Sequence, residues 1–445
     1  MRYFPHTQAD IEAMLQAIGA PSIDSLFTSI PEDLRWKGPL DIPSALDEIA
    51  LKRHLEELSG QNQVGLSFLG AGCYPHPAPT AVDPLLSRGE FFTAYTPYQP
   101  EISQGTLQAV FEFQTMVARL YGMEIANASM YDGSSSVAEG ALLALRVTGR
   151  KKVLCAKTLL PDWREVLAAH LSVFPDALHD VAYEADSGRL DLASLEGQLS
   201  SEVACVVVSY PNSLGVIESL GAIAEKVHAA GALLVVAVPE PISLGILKSP
   251  GSLGADVVAG EGQGFGIAPT FGGPWPGLFA AKKSFLRDIP GRLCGETVDA
   301  DGQRGYVLTL STREQHIRRA RATSNICTNQ GLFALAATIF MSLMGKQGLK
   351  RLASLNASRA TYARKTLAAA GFPQLFSGPV FNEFVVRVEG AQEVARRLAE
   401  QGIYPGLPLR NLYPEAPDGL LVCVTETHTT QDIDRLSQAL VQARR

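Results

Sequence analysis

The sequence predicts an α/β protein built on a largely parallel sheet, and three observations predict it. Two near-continuous apolar runs, VACVVVSY at Val203–Tyr210 and the run at Ala232–Val238, have the composition of strands buried on both faces. Helical patterns alternate with them in a β-α-β-α-β order, which implies parallel strands joined by right-handed crossovers and covered on both sides. A short strand, Ala255–Ala259, then runs into a loop of glycine and proline, Gly260–Gly277. Glycine lets backbone approach a ligand closely. In an α/β sheet such a loop lies at the carboxyl end of its strand, where ligands bind.

Length and composition narrow the possibilities. A chain of 445 residues exceeds one compact core, so the expected organisation is an N-terminal arm (1–62), a large α/β domain (63–330) and a small α+β domain (331–445). With 46% hydrophobic and 19% charged residues the composition fits a large buried core. A net charge of −7 argues against a general nucleic-acid binder. Six scattered cysteines show no CxxC and no Cys/His metal spacing, which reads as buried free thiols in a reducing cytoplasm, with no metal site. Met1–Gly19 carries charge and lacks an apolar signal core. The apolar stretch Gly331–Gly345 is short for a membrane span and reads as a buried helix.

In chain order, Thr7 or Asp10 caps a helix that runs to Ile18 and ends at Gly19, and a second helix covers Ser44–Leu58. This arm packs on its own domain or wraps a partner; the sequence does not separate the two. Val64–Pro100 is a long Gly/Pro/aromatic loop of a kind that is usually functional or interfacial. Within it Tyr95 and Tyr98 offer rigid rings with polar tips, or else seal the core. Ser103–Tyr121 is an amphipathic helix ended by Gly122. SMYDGSSS (Ser129–Ser136) precedes a helix at Val137–Leu145, so Ser134, Ser135 and Ser136 are either ordinary caps or a phosphate cup at a helix N-terminus. Lys152–Ala156 is a strand, Pro161–Leu171 a helix, Ser219–Ala230 a helix and Gly277–Lys282 a further strand. A basic run follows with Arg313, His316, Arg318, Arg319 and Arg321, either a solvated face or an anion contact. Segments Phe381–Val388, Val394–Gln401, Leu420–Val424 and Thr430–Ala443 give strand, helix, strand, helix.

The glycine loop poses a puzzle. A pyridoxal-phosphate enzyme carries its Schiff-base lysine in such a loop, yet Gly260–Gly277 contains no lysine, arginine or histidine. Five segments resolve it: YTPYQPEISQG (Tyr95–Gly105), YPNSLGVIE (Tyr210–Glu218), FGGPWPGLFA (Phe271–Ala280), PGRLCGET (Pro290–Thr297) and TREQHIRRARATSNICTNQ (Thr312–Gln330). Through them nearly the whole chain resembles the glycine cleavage system P-proteins, pyridoxal-phosphate glycine decarboxylases, and specifically their amino-terminal half or separate alpha subunit.

The resemblance implies a large domain of the aspartate aminotransferase type, fold type I. It also implies that the Schiff-base lysine and pyridoxal phosphate belong to the other half, the beta subunit. The matching place here is Gln263–Gly264, and only Glu240 is acidic where the family's partner of the pyridinium nitrogen would lie. An alpha2beta2 enzyme is implied, which decarboxylates glycine and passes the aminomethyl group to the lipoyl arm of H-protein in the cytoplasm. Tyr95, Tyr98 and Glu101 are then candidates to reach a shared site, Arg313 and His316 candidates to meet an anionic group, and Ser134–Ser136 a relic cup. Two alternatives stand beside this: a self-sufficient lyase or aminotransferase using Lys248 or the pair Lys282–Lys283, and a scaffold subunit needed only for assembly.

Overall fold

The structure, a computed structural model, describes residues 6–62 and 64–444. The chain divides into two compact units, Met1–Gln63 and Val64–Arg445. In the first, helix α1 (Gln8–Ile18) starts with a reciprocal capping box between Thr7 and Asp10 and stops at Gly19 in the left-handed conformation, as the pattern predicts. Helix α2 covers Glu48–Gly60 and begins four residues later than expected. Asp47 is the reason: its side chain accepts from the Ala50 N–H at 2.8 Å and sets the first turn. Neither helix buries a residue, and Ile18, Trp36, Ile42 and Ile49 are exposed.

The second unit is organised around a seven-stranded sheet. Its strands are β1 (Ile125–Ala126), β2 (Lys152–Ala156), β3 (Leu178–Val181), β4 (Val203–Ser209), β5 (Leu233–Val238), β6 (Val257–Glu261) and β7 (Gly277–Ala281). The order is β1-β7-β6-β5-β4-β2-β3, parallel except at β7, which pairs antiparallel with both β1 and β6. β4 is buried along its whole length and β5 at every residue but the first, which is why they read as continuous apolar runs. Alternate residues feed two cores: Val206, Val208, Val236 and Val258 on one face, Cys205, Val207, Val235 and Val257 on the other.

The helices of this unit that matter here are α3 (Gln104–Tyr121), α4 (Gly133–Thr148), α5 (Pro161–Leu171), α6 (Leu192–Gln198), α7 (Leu220–Ala229) and α8 (Gly331–Ala369). α8 is long and apolar enough to cross a membrane by length and composition. Gly345 breaks it with non-helical backbone, and its first half buries Ala334, Ala337 and Phe340 against the sheet's helices. A hairpin, β8 (Leu293–Val298) with β9 (Arg304–Thr309), was not evident in the sequence. Only its inner end is buried, where Cys294 and Tyr306 pack on Leu107, so its apolar signal is faint. Beyond α8, β10 (Glu383–Arg387), β11 (Leu407–Pro408) and β12 (Gly419–Cys423) form an antiparallel three-stranded sheet with β12 in the middle. Helices α9 (Ala391–Ala399) and α10 (Thr430–Ala443) cover it. Of the six cysteines, all unpaired, four are buried, Cys73 is half-buried and Cys327 is exposed.

Candidate functional site

The carboxyl ends of β5 and β6 meet the N-terminus of α4. β6 runs two residues further than the sequence suggests, which carries Glu261 to the sheet's edge. α4 starts at Gly133, not at Val137, so the three serines lie in its first turn. Asp132 is the cause. Its carboxylate accepts from the Ser135 N–H (2.7 Å) and the Ser134 hydroxyl (2.7 Å), and its carbonyl takes the Ser136 hydroxyl (2.6 Å). The carboxyl group of Glu261 then accepts from the Gly133 N–H and the Gly262 N–H, both at 2.9 Å. Burial pushes the pKa of Glu261 up to about 8, against the pull of the Gly133 N–H, and Asp132 adds to the rise. Gly133 admits no side chain: a Cβ there would lie 2.5 Å from the Trp163 ring.

Next to it, Gln263 is buried with both ends of its amide used. Its Oε1 accepts from the Tyr74 N–H (3.1 Å) and its Nε2 donates to the Ile267 carbonyl (2.8 Å). Glu240, after β5, meets His76 Nε2 at 2.9 Å, accepts from Asn382 Nδ2 at 2.9 Å and from the Ile242 N–H at 3.0 Å. The other ring nitrogen of His76 lies 2.9 Å from Glu426, which also accepts from Asn356 Nδ2 at 2.7 Å. Burial would lower the pKa of His76, but Glu240 and Glu426 outweigh it and raise it to about 10, so the ring is an imidazolium between two carboxylates. Glu383, raised by burial to about 7, accepts from the Ala71 N–H and the Tyr74 hydroxyl.

A second group lies on the surface. Tyr95 is 77% exposed and its hydroxyl sits 3.2 Å from that of Thr328. Tyr98 is half-exposed; its hydroxyl accepts from Arg292 Nη2 at 2.7 Å and its ring lies 5.1 Å below the same guanidinium. His316 meets the Tyr98 ring edge-on at 5.9 Å and lies 3.7 Å from Glu314. Arg292 is buried, 3.6 Å from Glu314, and its Nε makes no hydrogen bond among the described residues. A cavity of about 180 Å³ adjoins this rim, lined by Phe91, Phe92, Tyr95, Phe113, Arg292 and Leu332 among others. Glu101 is exposed in the turn Pro100–Ile102. Arg313 is apart from the rim: it is buried, it donates to the carbonyls of Ile289, Leu310 and Gly291, and burial lowers its pKa.

Residues 1–440 match the family profile described as "Glycine cleavage system P-protein". The chain belongs to that family. It is 53% identical over 444 residues to "Probable glycine dehydrogenase (decarboxylating) subunit 1" of Anaeromyxobacter dehalogenans (strain 2CP-C), covering 99% of this chain and 100% of that one. A protein of the same name from Koribacter versatilis is 47% identical, again over 99% and 100%. A solved structure of "glycine decarboxylase (P-protein) of the glycine cleavage system, in inhibitor-bound form" superposes with a TM-score of 0.90 at 43% identity, covering 100% of both chains. Glutamate decarboxylase of Lactobacillus brevis superposes with a TM-score of 0.69 at 13% identity over 93% and 95%, and shows the fold alone. That fold is the α/β architecture of the pyridoxal-phosphate-dependent fold type I enzymes.

As a P-protein chain it should be asked whether its own residues fit pyridoxal phosphate. They do not. Gln263, beside the place to which the resemblance assigns the Schiff-base lysine, offers an amide and no amine. The N–H groups of Gly133 and Ser135 at the start of α4 are already met by the carboxyl groups of Glu261 and Asp132, which a phosphate dianion there would face. Glu240 is committed to His76 and Asn382. The spare lysines are misplaced. Lys248 and Lys283 are exposed, and Lys282 pairs with Asp256, at the opposite end of β6 from Glu261. Five residues of strand, roughly 16 Å, lie between. Sequence reasoning missed Glu261, His76, Glu426 and Arg292. Glu261 had a visible signal, the lone acid among the glycines after an apolar strand; the other three are joined only by tertiary contacts.

Proposed function

We propose that this chain is the lysine-free first subunit of a two-subunit glycine decarboxylase of the glycine cleavage system. The bond-breaking at glycine then takes place on pyridoxal phosphate held by the second subunit, and the aminomethyl group leaves on the lipoyl arm of H-protein. The observation that carries the reading is Gln263: a buried, doubly hydrogen-bonded amide at the lysine's place, in a chain matched end to end by P-protein subunits. This chain contributes shape and contacts. Tyr95, Tyr98 and Glu101 are exposed on one loop beside an apolar cavity, and we assign them to the rim of a site shared with the second subunit. His316 supports Tyr98 from behind, whereas Arg313 braces the main chain. An alpha2beta2 assembly, in the cytoplasm, fits this division of labour.

Co-purification with the second subunit followed by borohydride reduction tests the reading: the label should be recovered on the partner and none on this chain. The Y95F/Y98F double variant should lower glycine–bicarbonate exchange at least about tenfold, roughly 1.4 kcal/mol of barrier, with the complex intact. A full rate in an intact complex would instead make this chain a scaffold.

A further inference from the structure

The carboxyl edge of the sheet holds every part of a phosphate-binding cup: a glycine-rich loop, a helix N-terminus and three hydroxyl side chains. Yet the N–H groups of Gly133, Ser135, Ser136 and Gly262 and all three serine hydroxyls are met from within. Gly133 and Gly262, which approach from opposite sides, donate to the two different oxygens of one carboxyl group. A group that spans two backbone N–H donors through two oxygens has the contact pattern of a phosphoryl group. The side chain that provides it is 3% exposed, although glutamate is rarely buried without a cationic partner. Among the described residues no cationic side chain pairs with Glu261, and the charged side chain that does bear on it, Asp132, is repulsive. Burial raises its pKa to about 8, so the group is carried as a carboxyl held in place by the two N–H donors and not by a cation.

Packing makes the same point independently. The indole of Trp163 is 5% exposed and lies so close over Gly133 that even a methyl group has no room. On the far side, Gly277 passes within 2.4 Å of the Ser136 hydroxyl, measured from the position its Cβ would take. The serine hydroxyls turn back to Asp132 and away from the space a ligand would need.

We propose that Glu261 is a built-in ligand: its carboxyl group stands where a phosphoryl group would bind, and together with Trp163 it closes this chain's cup to phosphorylated ligands. The inference concerns this chain alone and holds whichever subunit carries the cofactor. Removing the side chain should reopen the cup, and Asp132 is the remaining charge that would resist an anion there.

The test is a phosphate titration of the full-length chain, read by amide shifts of Gly133 and Gly262 and by thermal unfolding, with chloride at equal ionic strength as the control. In the wild type neither amide moves and Tm is insensitive to phosphate. E261Q, which still fills the cup, behaves in the same way. E261A binds phosphate at least about tenfold more tightly than the wild type, with a saturable rise in Tm of a few degrees and movement of the Gly133 amide. E261A/D132N, in which asparagine preserves the cap, strengthens that response. A wild-type chain whose Gly133 amide moves with phosphate overturns the proposal, even if neither alanine variant folds. So does a folded pair of alanine variants that ignores phosphate.

Discussion

Two regions of this chain carry the residue types of a cofactor site, and they have opposite characters. At the carboxyl edge of the sheet, Glu261, Glu240, Gln263 and His76 are all buried; His76 meets Glu240, while Glu261 and Gln263 are bonded to backbone groups around them. At the rim, Tyr95 and Tyr98 stand in solvent beside a cavity, and the buried Nε of Arg292 beneath them has no hydrogen bond among the described residues. A closed polar network is rigid and has nothing to offer a ligand, while an open aromatic rim is what a partner or substrate can use. The difference teaches which of the two regions is open to solvent: the loop ahead of α3 and not the carboxyl edge of the sheet, which is why the proposed shared site is placed on that loop.

The comparison breaks most severely at His76. Replacing it with alanine leaves Glu240 and Glu426 facing each other in the interior without a cation. Stripping one partner from a buried charge cluster costs about 3–5 kcal/mol, which chemical unfolding would show as a lower midpoint. The rim should be untouched, so the fluorescence and chemical accessibility of its tyrosines should not change in the folded variant. An H76A chain as stable as the wild type would mean that the interior network is not what holds the pocket shut.

The unequal legibility of the two regions has a physical origin. Elements defined by local periodicity were plain in the sequence: α5 and α10 run as expected from Pro161 to Leu171 and Thr430 to Ala443. So was the missing lysine, because an absence within one loop is a local fact. Tyr95 and Tyr98 stood out because aromatic residues between prolines have no helix to belong to. The interior network did not. His76, Glu240, Asn356 and Glu426 are spread over 351 positions, counted inclusively from 76 to 426, and only the chain's return through α8 and past β12 brings them together. The start of α4 was misjudged because a serine run suppresses the apolar pattern, whereas the Asp132 cap, not that pattern, sets the boundary.

A pH series sharpens the comparison at somewhat smaller cost. Glu261 and Glu383 keep their protons in the folded chain up to about 8 and about 7, whereas an ordinary glutamate releases its proton near 4.5. The folded state therefore binds more protons across that window, and stability falls as pH rises through it. His76 is raised from 6.5 to about 10, so its contribution is fully present below 6.5 and is lost as pH climbs to 10. All three slopes have the same sign, each worth up to about 1.4 kcal/mol per pH unit. Tm should decline steadily on the alkaline side, and E261Q should flatten the part of the curve below pH 8. A wild-type Tm that climbs between pH 6 and pH 9 would contradict the assignment of these groups.

The smallest effects separate the two regions most finely. Tyr98→Phe deletes one hydroxyl that accepts from Arg292. Half in solvent, that contact should be worth only about 1 kcal/mol of stability, yet activity in the two-subunit complex should fall by a larger factor if the hydroxyl faces a shared site. Ser134→Ala deletes a hydroxyl that, among the described residues, hydrogen-bonds to the Asp132 carboxylate alone. That carboxylate keeps the Ser135 N–H, so the cap survives and the loss should be near 0.5 kcal/mol. Because Ser134 points at a neighbour and not into a site, S134A should leave glycine–bicarbonate exchange in the complex unchanged within error. The two variants thus remove one hydroxyl each at similar cost in folding and should diverge in activity. If S134A were instead the one to slow exchange, the cup would still be doing chemistry and the outward-facing rim would lose its claim.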